Sequence, residues 1–390
     1  MEYYCIQPKL YSEFQCMGNN CPDNCCHGWG QIIWTENEYD KLCSASCSDK
    51  IKEKIGKSFI KCGKDWIINY SNNGYCAFLT EDRMCSIQRE LGAEYLSSVC
   101  REYPRLFYNN KNYILRTCNS SCYHIMGMLI NKEDIMTIDP KIEKINNINQ
   151  IAGYHSNKET EKAKNPILKY RIDIFEFFYN IIADNSRSVE VALTLGALAA
   201  QQISKFEEKK QFDKIPMVLE AIKPQLNDPE QFKKLEAIQP NYTLKFSFVN
   251  KLLGNMYDCD FGFDSLISQG QPSKEKYDIG LKKFEEEFED HPFALRNIVL
   301  NILTEYFISV YDKNKTVYQN YCYIVACFAC IKLAAVSIYF RNKEPERDFK
   351  IISSSICRML CHNKANVGSV LQYLKEHNCT SPAHLALLIK

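Results

Sequence analysis

The sequence carries almost no excess charge: 48 Lys and Arg stand against 47 Asp and Glu, a net of +1. The first 122 residues are balanced as well, with 14 of each sign. Proteins that grip a polyanion need many uncompensated cations, so nucleic acid is not an expected partner. The start, Met1-Glu-Tyr-Tyr-Cys-Ile-Gln-Pro8, has neither the basic head nor the apolar run of a signal peptide. The expected compartment is therefore the reducing cytoplasm, where stable disulfides are rare. No Gly-x-Gly-x-x-Gly follows a predicted strand and no Walker-type loop occurs, so no nucleotide pocket can be read off. Histidine is scarce, with His27 and His124 alone in the first 130 residues, so a cysteine nucleophile would find few bases. The one long apolar run, Tyr321 to Phe340, contains Lys332; it reads as a buried core helix, and no membrane partner is expected. No internal repeat is present.

What the sequence has is cysteine. Of 20 cysteines, 13 lie at or before position 122. They form blocks: Cys16-x4-Cys21-x3-Cys25-Cys26, then Cys76-x8-Cys85, then Cys100-Arg-Glu-Tyr-Pro-Arg, then Cys118-x3-Cys122. Clustered thiols in a reducing compartment point to metal. Four suffice for zinc or for an iron–sulfur cluster, and eight are well placed: Cys16, Cys21, Cys25, Cys26, Cys76, Cys85, Cys100 and Cys122. The paired Cys-x2-Cys turns of zinc ribbons are absent, and adjacent Cys25 and Cys26 cannot easily face one tetrahedral ion. Ligands from four segments suit a larger object, a [4Fe–4S] cube or two neighbouring metals, with zinc still open. The Cys-x3-Cys-x2-Cys loop of radical S-adenosylmethionine enzymes is absent, because Cys26 follows Cys25 at once and position 28 is Gly. Cys5, Cys43, Cys47, Cys62 and Cys118 lie outside the motif pattern and are expected to pack in the core. The later cysteines sit in apolar runs and read as small hydrophobes. His27 reads as a loop histidine.

The length suggests two domains. The expected fold is mainly α, with a few short β-strands in the N-terminal part: a Cys-rich metal-binding domain over 1–130, a linker over 131–165, and an α-helical bundle over 166–390. Thr35 with Glu38 predicts a capped helix start. Asp65 to Tyr70 and Tyr113 to Thr117 read as strands, and Thr80-Glu-Asp-Arg83 as a turn. Ser86 to Cys100 reads as one helix stopped before Pro104.

Phe14-x-Cys16-x4-Cys21-x-Asp23-x-Cys25-Cys26-x-Gly28-Trp29, Gly74-x-Cys76-x-Phe78-Leu79, Cys85-x-Ile87-x4-Gly92, Cys100-Arg101-x-Tyr103-Pro104-Arg105 and Ser121-Cys122 together resemble the flagellin lysine-N-methylases, the FliB-like proteins. The cysteine part is also similar to the wider class of zinc- or iron-chelating cysteine domains. Five blocks in order make the likeness specific over residues 14–125. Beyond them it is looser, at Arg296-Asn297 and Arg358-x3-His362. Asn24, Asn119-Ser120 and the additional Cys118 depart from the pattern, without removing a motif cysteine.

The resemblance implies methyl transfer from S-adenosylmethionine to lysines of flagellin in the bacterial cytoplasm. It also implies a [4Fe–4S] cluster held by about four of the eight motif cysteines. A lysine amine, with a free pKa of about 10.4, must lose its proton to attack. On this reading Tyr103 and Glu102 are the catalytic candidates, with Asp23 a further acceptor. The donor's sulfonium favours aromatic faces; Trp29, Trp34, Tyr103 and Tyr113 are near the blocks, and Trp29 is the chosen donor contact. Arg101 and Arg105 suit the donor's carboxylate. The competing role for Tyr103 and the arginines is to brace the metal loop. The rival to an enzyme is a metal-organised interaction or redox-sensing module on a helical scaffold; an electron carrier is a third reading.

Overall fold

An extended N-terminal segment, β1 (Glu2–Ile6), leads into one short helix, α1 (Lys9–Glu13). The structure is a computed structural model that describes residues 1–27, 32–70, 74–110, 113–146, 151, 153–155, 166–253, 263–310, 314–341, 345–361, 364–377 and 380–390. After α1 the chain enters the Cys16–Cys26 loop. It then builds a small lobe from β2 (Ile33–Trp34), α2 (Glu36–Cys43), α3 (Asp49–Ser58), β3 (Phe59–Cys62) and β4 (Asp65–Ile68). Thr35 caps α2 as its sequence predicts. Its hydroxyl accepts from Glu38 N, and Glu38 Oε2 accepts from Thr35 N at 2.8 Å. The antiparallel sheet β2-β4-β3 turns Trp34 and Ile68 onto Leu42, Ile51, Ile55, Phe78, Ile87 and Leu96, a core separate from that of the rest of the chain.

The helix expected over Ser86 to Cys100 is instead three pieces: α4 (Ser86–Leu91), a 3-10 turn at Ala93–Tyr95, and α5 (Ser98–Glu102). Gly92 at φ +99° breaks it, a backbone state closed to most side chains. Ser97 then starts a new turn, its hydroxyl accepting from Cys100 N at 3.2 Å. The break, not helical spacing, sets where Cys100 sits.

Next come β5 (Arg105–Asn110), β6 (Tyr113–Cys118) and α6 (Tyr123–Asn131), then β7 (Lys141–Lys144) and β8 (Tyr154–His155). With β1 they form one sheet in the order β7-β1-β6-β5-β8. β1 runs parallel to β6, pairing Tyr4 with Tyr113, while β5 and β6 are antiparallel. The stretch expected as a linker thus supplies both edge strands of this sheet. It joins the fold through backbone hydrogen bonds that its polar composition did not signal.

The remaining helices are α7 (Arg171–Ala183), α8 (Val189–Glu208), α9 (Ile215–Ile222), α10 (Pro229–Glu236), α11 (Tyr242–Leu253), α12 (Lys274–Glu287), α13 (Ala294–Glu305), α14 (Val317–Arg341), α15 (Pro345–Cys361), α16 (Lys364–Glu376) and α17 (Pro382–Ile389). The chain is therefore mainly α. Helix α14 is long and apolar enough to cross a membrane by length and composition, yet 94% of its most apolar window is buried inside the protein. It packs against α8, α11, α12, α15, α16 and α17. Lys332, the cation in its middle, is paired at 2.6 Å with Glu190 of α8 and donates to Ile389 O at 3.1 Å. Gly280 lets α12 lie against α14, since a β-carbon there would meet the Val336 carbonyl oxygen.

The apolar core runs without a break across residue 130. Ile6, Leu10, Leu115 and Leu129 belong to the same cluster as Phe175, Leu195, Leu303 and Phe328. Helix α13 joins the two halves by a polar stripe. Asn297 Nδ2 donates to Leu129 O and Lys132 O, at 3.2 and 2.9 Å. Asn301 Nδ2 donates to Cys118 O at 2.9 Å and its Oδ1 accepts from Thr117 at 2.6 Å. Glu305 Oε2 accepts from Ser120 N at 2.9 Å. The spacing i, i+4, i+8 places all three on one helix face, and they hold the strand-to-helix segment that ends at Cys122.

Candidate metal centre

Five of the eight motif cysteines wall one cavity of about 80 Å³: Cys25, Cys26, Cys76, Cys85 and Cys100. Each arrives by a distinct local device. The loop turns at Asn24, whose Oδ1 accepts from Cys26 N at 2.8 Å while its amide donates to Arg83 O at 2.9 Å. Cys76 is drawn to the loop by its N–H, which donates to Cys26 O at 2.8 Å. Cys85 stands at the N-cap of α4, bridged to Leu79 across the predicted turn. Cys100 lies in α5. Trp34, Tyr70, Phe78 and Tyr103 complete the wall. Trp34 is buried, and its indole N–H has no hydrogen-bond partner among the described residues.

The other three are arranged differently. Cys122, at the N-cap of α6, and Cys21 lie within electrostatic reach of each other and of Cys25, beside the cavity. Cys21 Sγ donates to Asp23 O at 3.2 Å. Cys16 is exposed, its sulfur accepting from Gly18 N. Among the described residues, no three His, Cys, Asp or Glu side chains come close enough together to hold a single metal ion.

The cavity disfavours several simultaneous thiolates. Burial pushes the Cys76 thiol up to about 11 and Cys100 and Cys122 up to about 12, and the neighbouring thiols add to this. Cys25 is the exception: the hydrogen bond from Cys26 holds it below the ordinary thiol value, with the Arg358 guanidinium acting in the same direction. Cys26 is correspondingly raised by the same hydrogen bond.

Arg358 of α15, outside the cysteine blocks, reaches the cysteine loop. Its Nη2 donates to Asp23 Oδ2 at 2.7 Å and to Ser121 O at 3.3 Å. It ties the cysteine loop, the Cys122 segment and the helical bundle together. Its only sequence signal is the looser Arg358-x3-His362 likeness; His362 lies outside the described residues.

The other predicted residues divide as follows. Tyr103 lines the cavity with its hydroxyl 3.1 Å from Ser121 Oγ, and burial raises its pKa, so it keeps its proton. Glu102 accepts from Arg101 Nε at 2.9 Å and from Gly153 N at 2.8 Å. Arg101 is thereby paired with its neighbour, near the surface. Arg105 donates to Phe14 O at 2.7 Å and Tyr11 O at 3.4 Å and lies over the Phe14 ring. It braces α1 rather than facing the cavity. Trp29 lies outside the described residues. His27 stacks on Tyr75, with ring centroids 4.2 Å apart, and does not line the cavity. Of the cysteines expected in the core, Cys5 and Cys118 are buried; Cys43 and Cys62 are exposed, because α2 and the edge strand β3 turn them outward. Cys322, Cys327, Cys330 and Cys357 are buried as expected.

Beside the loop lies a recess of about 470 Å³, lined by Asp23, Asn24, His27, Tyr75, Glu81 and Arg83 among others.

No solved structure matches this chain. Lysine-N-methylase of Salmonella typhimurium is 30% identical over 141 residues, 35% of this chain and 34% of that protein. This chain thus spans about a third of that relative's length. Flagellar biosynthetic protein FliU of Salmonella muenchen is 31% identical over 140 residues, 35% of this chain and 82% of that protein. The family model for the FliB lysine N-methylase C-terminal domain matches residues 175–388, from within α7 to within α17, which is more than half of the chain. On these matches the chain belongs to the FliB lysine N-methylase family.

Proposed function

We propose that this protein transfers methyl groups from S-adenosylmethionine to lysine side chains of flagellin, in the cytoplasm, and that its cysteine-walled cavity houses a [4Fe–4S] cluster. The family match over residues 175–388 carries the methyl transfer. The relatives named lysine-N-methylase and FliU support lysine and the flagellum as its context.

The cavity supports the cluster on three grounds. Its donor set is five thiols from four segments. A single zinc needs its sulfurs gathered round one centre, with Zn–S near 2.3 Å, and no three His, Cys, Asp or Glu among the described residues are placed to hold one ion. The Trp34 N–H, unpartnered in an apolar wall, would meet an acceptor in a sulfide or thiolate. When bound, such a cluster supplies the positive charge that lets several buried thiolates coexist and a rigid centre linking their segments.

Size separates cluster from donor. Pockets for cofactor-sized molecules run to roughly 300–1,000 Å³, and the cysteine cavity is near 80 Å³. The adjoining recess of about 470 Å³ is in that range, and we assign the donor to it. There the Tyr75 ring offers a face to the sulfonium, and Asp23 and Glu81 are carboxylates able to take a proton. In the transfer, the lysine nitrogen's lone pair forms the N–C bond. The C–S bond breaks with its electrons going to sulfur, leaving a neutral thioether, and the ammonium proton passes to a carboxylate or water. Tyr103, enclosed and protonated, serves to position the loop in this scheme.

The test is anaerobic purification followed by iron and sulfide analysis, visible absorption, and mass spectrometry of flagellin incubated with S-adenosylmethionine. Iron, sulfide and methylated lysines are expected. Cys85→Ala and Cys100→Ala should each lose iron, while Cys118→Ala, buried outside the cavity, should retain it. A protein without iron, or one that leaves flagellin's mass unchanged, would count against the corresponding half of the proposal.

A further inference from the structure

A wide opening among the described residues lies away from the cysteines. It is a cleft of about 1330 Å³ between α7, the start of α8, α12 and the start of α13, closed at one end by the turn after α6. Its lining holds seven carboxylates and three cations. The cations are already committed. Lys332 is paired with Glu190. Arg187 is paired with Asp184 and donates to Leu226 O at 2.7 Å. Arg296 donates to the carbonyls of Ile182, Asp184 and Arg187. Asp134 is paired with Lys9. That leaves Glu133, Glu176, Glu236, Glu285 and Glu289 lining the cleft with no ion pair among the described residues. They come from four separate places in the chain, Glu285 and Glu289 sharing the end of α12, so the surplus is not the solvated face of one helix.

The floor between them is apolar. Ile138, Leu281, Phe293 and Leu295 are half-buried there. Glu176 stands among them with its pKa raised by burial and by Asp173. An opening with apolar floor and uncompensated negative walls fits an amphipathic segment that carries cations beside its apolar side chains. It is far larger than a donor molecule requires and has the wrong sign for a nucleotide.

The cleft also has a fixed relation to the cysteines. Helix α6 starts at Tyr123, directly after its N-cap Cys122, and ends at Asn131, just before Glu133 of the cleft. Nine residues of helix span about 14 Å, the length of roughly four residues of extended chain. A segment lying in the cleft could therefore present another of its own residues at the cysteine end.

We infer that this cleft is the docking site for a lysine-bearing amphipathic segment of the protein substrate, holding it at a distance from the reacting amine. The inference rests on the lysine-methylation reading for the nature of the occupant. The groove's charge and shape stand without it. A remote anchor contributes binding shared by ground and transition states, so its loss raises KM and leaves kcat in place.

Glu285 and Glu289 are exposed, on α12 and just beyond its end, so charge reversal there should not disturb folding. The experiment uses the full chain, wild type and Glu285→Lys/Glu289→Lys. The first arm measures methyl transfer to flagellin. The variant should raise KM for flagellin by about tenfold or more, with kcat, KM for S-adenosylmethionine, iron content and melting temperature unchanged. The second arm measures fluorescence anisotropy with a labelled peptide bearing lysines on one face and leucines on the other. Wild type should bind it, less tightly as salt rises. The variant should lose about tenfold or more in affinity, and the glutamate-for-lysine peptide should not bind. Equal KM in the two proteins, equal peptide affinity, or binding of the glutamate peptide would overturn the inference. Absence of flagellin methylation by wild type, with the peptide results as expected, would reject the lysine-methylation reading and leave the groove standing.

Discussion

Arg358 and Asp23 are 335 residues apart in sequence and 2.7 Å apart in space, with 14% and 12% of their side-chain surfaces exposed. A pair so enclosed responds asymmetrically to mutation. Removing one member leaves the other's charge desolvated without a partner, at a cost of about 3–5 kcal/mol. We therefore expect Arg358→Met to lower unfolding free energy by that order and to lower iron per chain, since the Cys21–Cys26 loop loses its tie to α15. Denaturant melts and iron analysis check this; an unchanged iron content would mean that the loop is held by other contacts. Residue chemistry also explains what reading the motifs could and could not reach. Thiols advertise themselves by type and spacing. A guanidinium that positions them looks like any other arginine until the fold brings it alongside.

At the scale of elements, α13 is a buried helix made polar on one stripe for a reason its own sequence does not display. Asn297, Asn301 and Glu305 supply the hydrogen bonds that the backbone between Thr117 and Glu133 would otherwise lack. Asn301 is fully buried and bonds three groups: Thr117 Oγ1, Cys118 O and Ser120 Oγ. Asn301→Ala removes all three bonds. Each unsatisfied buried group costs about 1–3 kcal/mol, and partial relaxation makes a loss of about 3 kcal/mol the expected value in urea unfolding. An effect under about 1 kcal/mol would mean that water reaches the site. Helix identity was legible where a local signal existed. The Thr35–Glu38 capping box and the apolar period of α7, α8 and α14 are such signals. The α4–α5 break has no such signal in the apolar spacing of Ser86 to Cys100: the positive φ of Gly92 ends one turn and Ser97 begins another. The edge strands β7 and β8 carry no local signal, because edge strands hold polar residues and owe their state to a partner strand.

For the whole molecule, the corner between α7 and α8 gives a pH signature. Burial works against the Asp184 charge, but hydrogen bonds from Ser186 and Arg187 outweigh it and hold the carboxyl down to about 2. The unfolded value is about 3.9. A depressed carboxyl adds stability above its unfolded pKa and loses it as pH falls through the folded one, because the unfolded chain then binds the extra proton. Wild type should thus exceed Asp184→Asn in stability by a constant margin above about pH 5, and the margin should shrink towards zero between about pH 4 and pH 2. Urea melts at each pH measure it. A margin that stayed flat down to pH 2 would mean that the ion pair with Arg187 does not form in solution. The same corner fixes the Arg187 and Arg296 cations against carbonyls, and so leaves the neighbouring cleft acidic.

The amino-acid sequence by itself determined that thiols would gather in the front third, that the chain would be mainly helical, that Tyr321 to Phe340 would be core, and which family the cysteine blocks resemble. These follow from residue type and near-neighbour spacing, which set propensity, capping and burial period. Only the tertiary structure decided which five cysteines share a cavity, that Arg105 braces α1 while Arg358 holds the loop, and that five carboxylates from distant segments line one cleft. Convergence depends on long-range packing and on how buried polar groups find partners, and no local pattern encodes where the chain's path will bring them together.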